Sequence, residues 1–274
     1  MTEQRPFRFQ CNSCWLVGIL SMPERPLARG VLIVTGGPQY RVGSHRQFAL
    51  LARTLAARGM PVLRFDYRGM GDSCGERRSY ENIDDDLDSA VQLFFDTVPE
   101  LKEIVLWGLC DGATATAFYA YKEKRICGLI LLNPWARTEA GFARATLRHY
   151  YLSRLIDASF WRQLFRGSFA SLAALRSLCR LVVVANGTDD TNNTPQRMLD
   201  GLSRFHGRIL IILSGDDLTA QEFAAVQQSS AKWREFSRGP NVRQEKLAGA
   251  NHTFSSARWR DQATHLCLHW LGSW

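Results

Sequence analysis

The sequence predicts an α/β fold, a mostly parallel central sheet flanked by helices with an inserted helical lid, on three observations. Apolar runs alternate with helical stretches from residue 31 to 132, the rhythm returns from 209 to 271, and a glycine-flanked cysteine stands where one apolar run gives way to a helix. Apolar runs without polar alternation suit strands covered on both faces, as parallel sheets require. Strands alternating with helices place those helices over the sheet.

Residues 7 to 21 (FRFQCNSCWLVGILS) read as a β-hairpin. Val31-Leu32-Ile33-Val34 is a buried strand ending at Gly36-Gly37-Pro38, and residues 45 to 58 form a helix with Phe48, Leu51 and Leu55 on one face and Gly59 as its stop. Pro61 to Phe65 is the next strand. A helix over 84 to 98 begins with three aspartates, which suit the positive end of a helix dipole. Strand 104 to 107, a helix over 111 to 123 and strand 128 to 132 follow. The alternation stops between 137 and 205, so this segment is read as a lid inserted into one domain spanning 1–274. Within it, Val182-Val183-Val184 fits strand or helix alike. Strand 209 to 213, a helix near 220 to 233, a strand near 242 to 247 and a helix over 257 to 271 complete the pattern.

Length and composition suit a single domain, with 274 residues, 46% hydrophobic and 22% charged. No apolar run is long enough to span a membrane and the first residues lack a secretory pattern, so a cytoplasmic location is expected. The seven cysteines form no disulfide framework. Cys11 and Cys14 have metal-ligand spacing but no second pair, and within one strand residues three apart face opposite ways, so neither metal nor other cofactor is expected. A net charge of +8 favours anionic partners, and with no recognisable nucleic-acid motif a nucleic acid is not expected.

Gly108-Leu109-Cys110-Asp111-Gly112 lies between a strand and a helix, the setting of a nucleophile elbow, with Cys110 at the exposed tip. An oxyanion hole would take the N–H of Asp111 and a second from the loop after an earlier strand; Gly37 is the candidate, since Pro38 has no N–H. Downstream, Ser214-Gly215-Asp216-Asp217 ends a strand and offers an acid, Asp217 ahead of Asp216. His252, between the last strand and the last helix, stands where the base belongs. Each motif also has a plainer reading: a buried cysteine by a glycine turn, an aspartate capping a helix, a loop histidine. The order nucleophile, acid, histidine tips the balance. Arg41 and His45, beyond the Gly36-Gly37 loop, are candidates for substrate contact.

Asp66-Tyr67-Arg68-Gly69-Met70-Gly71-Asp72-Ser73 resembles the DxRGxGxS segment of α/β-hydrolases, and GLCDGA resembles their elbow with cysteine for serine. Taken with GGPQYRVGSHRQF, WGLCDGA, LSGDDLTAQEF and the histidine segment, the chain is similar to the hydrolase 1 family associated with exosortase A systems, bacterial gene sets linked to exopolysaccharide and envelope protein sorting. Dienelactone hydrolase is a further α/β-hydrolase type with cysteine at the elbow. The resemblance implies the α/β-hydrolase fold and a hydrolase, with no substrate attached.

The function expected is hydrolysis of an activated ester or thioester through an acyl-cysteine, since a thiolate attacks such carbonyls readily. Acyl transfer through the same intermediate and a non-catalytic binding protein are the alternatives. Residues 137 to 180 carry eight arginines among aromatic side chains. A basic lid suits a small-molecule or acyl-carrier substrate of negative charge, or peripheral contact with an anionic membrane.

Overall fold

The computed structural model describes residues 2–37, 39–136 and 194–274. An eight-stranded sheet runs through it: β1 (Glu3–Cys11), β2 (Cys14–Met22), β3 (Arg29–Val34), β4 (Val62–Asp66), β5 (Glu103–Leu109), β6 (Ile126–Leu132), β7 (Arg208–Ser214) and β8 (Val242–Leu247), in the spatial order β1-β2-β4-β3-β5-β6-β7-β8. The strands β3 to β8 are parallel to their neighbours, and the β1–β2 hairpin joins β4 antiparallel.

Burial on both faces explains why the central strands are largely apolar. In β5, Ile104 and Leu106 enter one core with Leu87 and Phe94 of α2 (Asp84–Thr97) and Phe118 of α3 (Asp111–Tyr119). Val105, Trp107 and Leu109 face the other, with Phe48 and Leu55 of α1 (Gln47–Ala56) and Trp270 of the C-terminal helix Ala257–Leu271. Each such side chain withdrawn fully from water stabilises by about 1.5–3 kcal/mol. At the sheet's edges the pattern loosens: β1 exposes Glu3, Gln4, Pro6, Arg8 and Gln10, and β8 exposes Arg243, Gln244 and Lys246.

Two expectations need correction. Cys11 and Cys14 are not on one strand; they face each other across the two-residue turn Asn12-Ser13, Asn12 taking φ 51°, so the two cysteines share a face of the sheet. Tight hairpin turns need positive φ, which asparagine tolerates, and this overrode the single-strand reading. The helix expected near 220 to 233 is two, α5 (Leu218–Ser229) and α6 (Ala231–Ser237), because Ser230 takes an extended conformation and caps the second by accepting from Trp233 N–H at 3.2 Å. At the end of the segment expected as a lid, α4 (Thr194–Arg204) packs against the core: Met198, Leu199 and Leu202 are buried, and Gly201 lies against the Ala117 carbonyl of α3. The rest of that segment, with its arginines and Val182 to Val184, lies outside the described residues, as does Pro38. The C-terminal helix Ala257–Leu271 is α7.

Candidate active site

Cys110 sits between the end of β5 and the start of α3 with φ 59° and ψ −126°, a conformation that side chains rarely adopt and that tight strand-to-helix turns impose. Neighbouring backbone explains the flanking glycines. A Cβ on Gly108 would stand 2.5 Å from Ala113 N, and one on Gly112 would stand 2.6 Å from the Val34 carbonyl at the end of β3. Cys110 N–H donates to the Leu132 carbonyl at 2.9 Å, tying the elbow to β6. Its side chain is half-buried at the carboxyl end of the parallel strands, where open α/β sheets place their sites.

His252 comes from the loop between β8 and α7. Its Nδ1 lies 2.9 Å from Asp217 Oδ2, and Cys110 lies close enough to the ring to favour its protonated form, so the three residues selected from sequence meet at one place. Asp217 is buried, whereas Asp216 is exposed and engaged through its backbone N–H with the Ala250 carbonyl at 2.8 Å. The plainer reading of Asp217 holds as well: it caps α5, accepting from Thr219 and Ala220 N–H at 3.3 and 3.2 Å. Its hydrogen bond, then the nearness of Cys110, pushes the His252 imidazole up to about 10 against the opposing effect of burial. A ring so held is protonated at neutral pH and donates from both nitrogens.

Asp111 holds a further finding. Its Oδ2 accepts from Gly37 N–H at 2.8 Å and its Oδ1 accepts from Gly112 N–H at 3.1 Å. One of the two N–H groups expected to bind an oxyanion, that of Gly37, thus meets the Asp111 carboxyl. Burial pushes this carboxyl above the ordinary carboxylate range, against those N–H bonds and the charge of His252.

Arg41, a candidate for substrate contact, is held by two carboxylates. Its two terminal nitrogens pair with the carboxylates of Asp66 and Asp72, and its backbone N–H donates to Asp66 Oδ1 at 2.6 Å. Asp66 is fully buried and also accepts from Asp72 N–H at 3.2 Å, so the DYRGMGDS loop is anchored on Arg41. Arg68 of the same loop is buried and makes a forked pair with Asp86 at the start of α2, with contacts of 2.8 to 3.1 Å. His45 lies exposed on the short 3-10 turn Ser44–Arg46 that leads into α1.

The sequence reading missed a positioning pair. Asn133, at φ 44° just past β6, donates from Nδ2 to Ser214 Oγ at 2.9 Å and to the His252 carbonyl at 3.1 Å, while its Oδ1 accepts from Ser214 N–H at 2.8 Å. Ser214 Oγ in turn donates to the Asn251 carbonyl at 3.0 Å. This buried clamp fixes the histidine loop to the ends of β6 and β7. An asparagine ending an apolar strand, just before Pro134, was the available signal.

A parallel sheet carrying a strained residue on an elbow, with a buried acid and a histidine at the same strand ends, defines an α/β-class hydrolase scaffold. The chain belongs to the Alpha/beta hydrolase family, whose profile matches residues 31–265. Among solved structures, it is similar to a Pyrococcus furiosus esterase at TM-score 0.68 and 16% identity, covering 100% of this chain and 92% of that one. It is also similar to an alpha-beta serine hydrolase homologue from Coxiella burnetii at TM-score 0.58 and 17% identity, covering 97% and 98%. A Pyrococcus horikoshii acylaminoacyl peptidase matches at TM-score 0.65 and 16% identity over 99% of this chain and 41% of that one. At such identities these likenesses speak to the fold. A sequence search of curated proteins found no match. No described helix is long and apolar enough to cross a membrane.

Proposed function

We propose that this protein hydrolyses an activated ester or thioester through an acyl-Cys110 intermediate. The observation that carries the reading is His252, whose Nδ1 meets Asp217 Oδ2 at 2.9 Å beside Cys110 on its strained elbow. In the first half-reaction the Cys110 thiolate adds to the carbonyl carbon and the bond to the leaving oxygen or sulfur breaks. His252 gives that leaving group its proton. In the second half, the now neutral His252 takes a proton from water, the hydroxide adds to the thioester carbon, and the Cys110 sulfur departs as thiolate. Asp217 fixes the tautomer and orientation of the imidazole throughout.

Thioesters, lactones and aryl or enol esters suit a thiol nucleophile better than amides, because their leaving groups depart more readily. The net charge of +8 and the arginines of 137 to 180 favour an anionic acyl donor, such as a coenzyme A or carrier-protein thioester, or contact with an anionic membrane surface. The resemblance to the exosortase-associated hydrolases supports a substrate from exopolysaccharide or envelope metabolism, handled in the cytoplasm. The test assays short aryl esters and acyl thioesters with the wild type, Cys110→Ala and His252→Ala. Equal turnover in all three overturns the proposal, and loss in both variants is the expected result.

A further inference from the structure

One side chain takes up the Gly37 N–H, the group expected to bind a tetrahedral oxygen. Asp111 Oδ2 lies 2.8 Å from Gly37 N, and Oδ1 also accepts from Gly112 N–H at 3.1 Å. The pocket is shaped for it: a Cβ on Gly36 would overlap Asp111 Oδ1 and stand 2.5 Å from Gly112 N, and Gly37 adopts φ 57° so that its N–H reaches the carboxyl. An aspartate in the first turn of a helix ordinarily accepts from N–H groups of that same turn. Capping alone does not account for the bond to Gly37, which comes from the loop after β3, 74 residues away in sequence.

We propose that the Asp111 carboxylate is a resident occupant of the oxyanion hole, a specificity-determining residue that holds the resting enzyme off simple acyl donors until a substrate displaces it. The proposal rests on the acyl-Cys110 reading. A carboxylate and an oxyanion carry the same charge and call on the same donors, so both cannot be held there together. Charge-assisted hydrogen bonds of this kind are roughly twice as strong as neutral ones, which makes the occupant hard to dislodge. A small acetyl group, with few contacts elsewhere, has little binding energy to apply to that displacement.

The experiment compares two reactions of the same sulfur. The burst of 4-nitrophenolate from 4-nitrophenyl acetate reads acylation of Cys110, whereas alkylation by iodoacetamide forms no tetrahedral oxygen and reads thiol reactivity alone. Peptide mapping assigns both adducts to Cys110. The ratio of acylation to alkylation rate constants is expected to rise roughly tenfold or more in Asp111→Ala, as the hole is freed. A smaller rise is expected in Asp111→Asn, whose amide oxygen accepts from Gly37 without a charge. The asparagine variant is nearly isosteric and carries the test if the alanine variant does not fold. A ratio unchanged or lowered in the folded variants overturns the occupant role while leaving the acyl-enzyme intact. Absence of acylation in the wild type and in every variant, with alkylation normal, overturns the acyl-enzyme reading and this proposal with it.

Discussion

The Asp217 carboxylate serves two elements at once: Oδ2 meets His252 Nδ1 at 2.9 Å, and the same side chain caps α5 through Thr219 and Ala220 N–H. The two roles separate by mutation. Asp217→Asn keeps a good capping residue and is expected to lose only the stability tied to the protonated His252, whereas Asp217→Ala is expected to cost about 1 kcal/mol more for the lost cap. Both are expected to lower kcat on an activated ester by roughly a hundredfold, since each leaves the imidazole without its acceptor of charge. Urea unfolding paired with steady-state kinetics checks the split.

His252, pushed up to about 10, titrates far above its ordinary value near 6.5. Protonated imidazole is therefore favoured in the folded state: its contribution to stability is full below about pH 6.5 and is lost as the pH rises towards about 10. The stability difference between the wild type and His252→Gln is expected to follow that course in urea titrations across the range. The alkaline limb of kcat is expected near 10 as well, because a neutral ring cannot protonate the leaving group, and Asp217→Asn is expected to bring that limb down.

Exchange of the nucleophile atom is the third test. Cys110→Ser is expected to fold normally, since the elbow's geometry is set by Gly108 and Gly112, but to lose about a hundredfold or more in kcat. A hydroxyl must surrender its proton to a base, and a protonated His252 is not one. Kinetics with circular dichroism checks it; a serine variant matching the wild type would make the sulfur incidental.

Arg41 is expected to matter for stability rather than for substrate. Replacing it by Met leaves the fully buried Asp66 carboxylate without its cation, a loss on the order of 3–5 kcal/mol for pairs broken from one side. KM among the molecules that remain folded is expected to change little. A raised KM with an unchanged melting temperature would restore the substrate-contact reading.

The sheet was legible because β3 to β7 are apolar on both faces, a pattern that covered parallel strands share with little else. The elbow, Asp217 and His252 were legible because each ends a strand in the order such sites require. Other features depend on contacts that spacing does not encode. The Cys11–Cys14 pairing turned on where a two-residue turn fell, and the break at Ser230 on a single cap. The pairing of Arg41 was not legible because its partners Asp66 and Asp72 lie 25 and 31 residues further on. Asp111 was read for its N–H, while the direction of its side chain depends on Gly36 and Gly37, brought alongside only when β3 pairs with β5.

The charged margins of the sheet bear on how the molecule behaves in a crowded solution. A ninth strand laid along β8 would set its side chains beside Arg243, Glu245 and Lys246, and one laid along β1 would meet Arg5, Arg8 and the ring of Pro6, which offers no N–H. Growth by adding strand to strand, the first step toward fibrils, is thereby discouraged at both ends, and the long apolar strands between them stay interior to a sheet of fixed width.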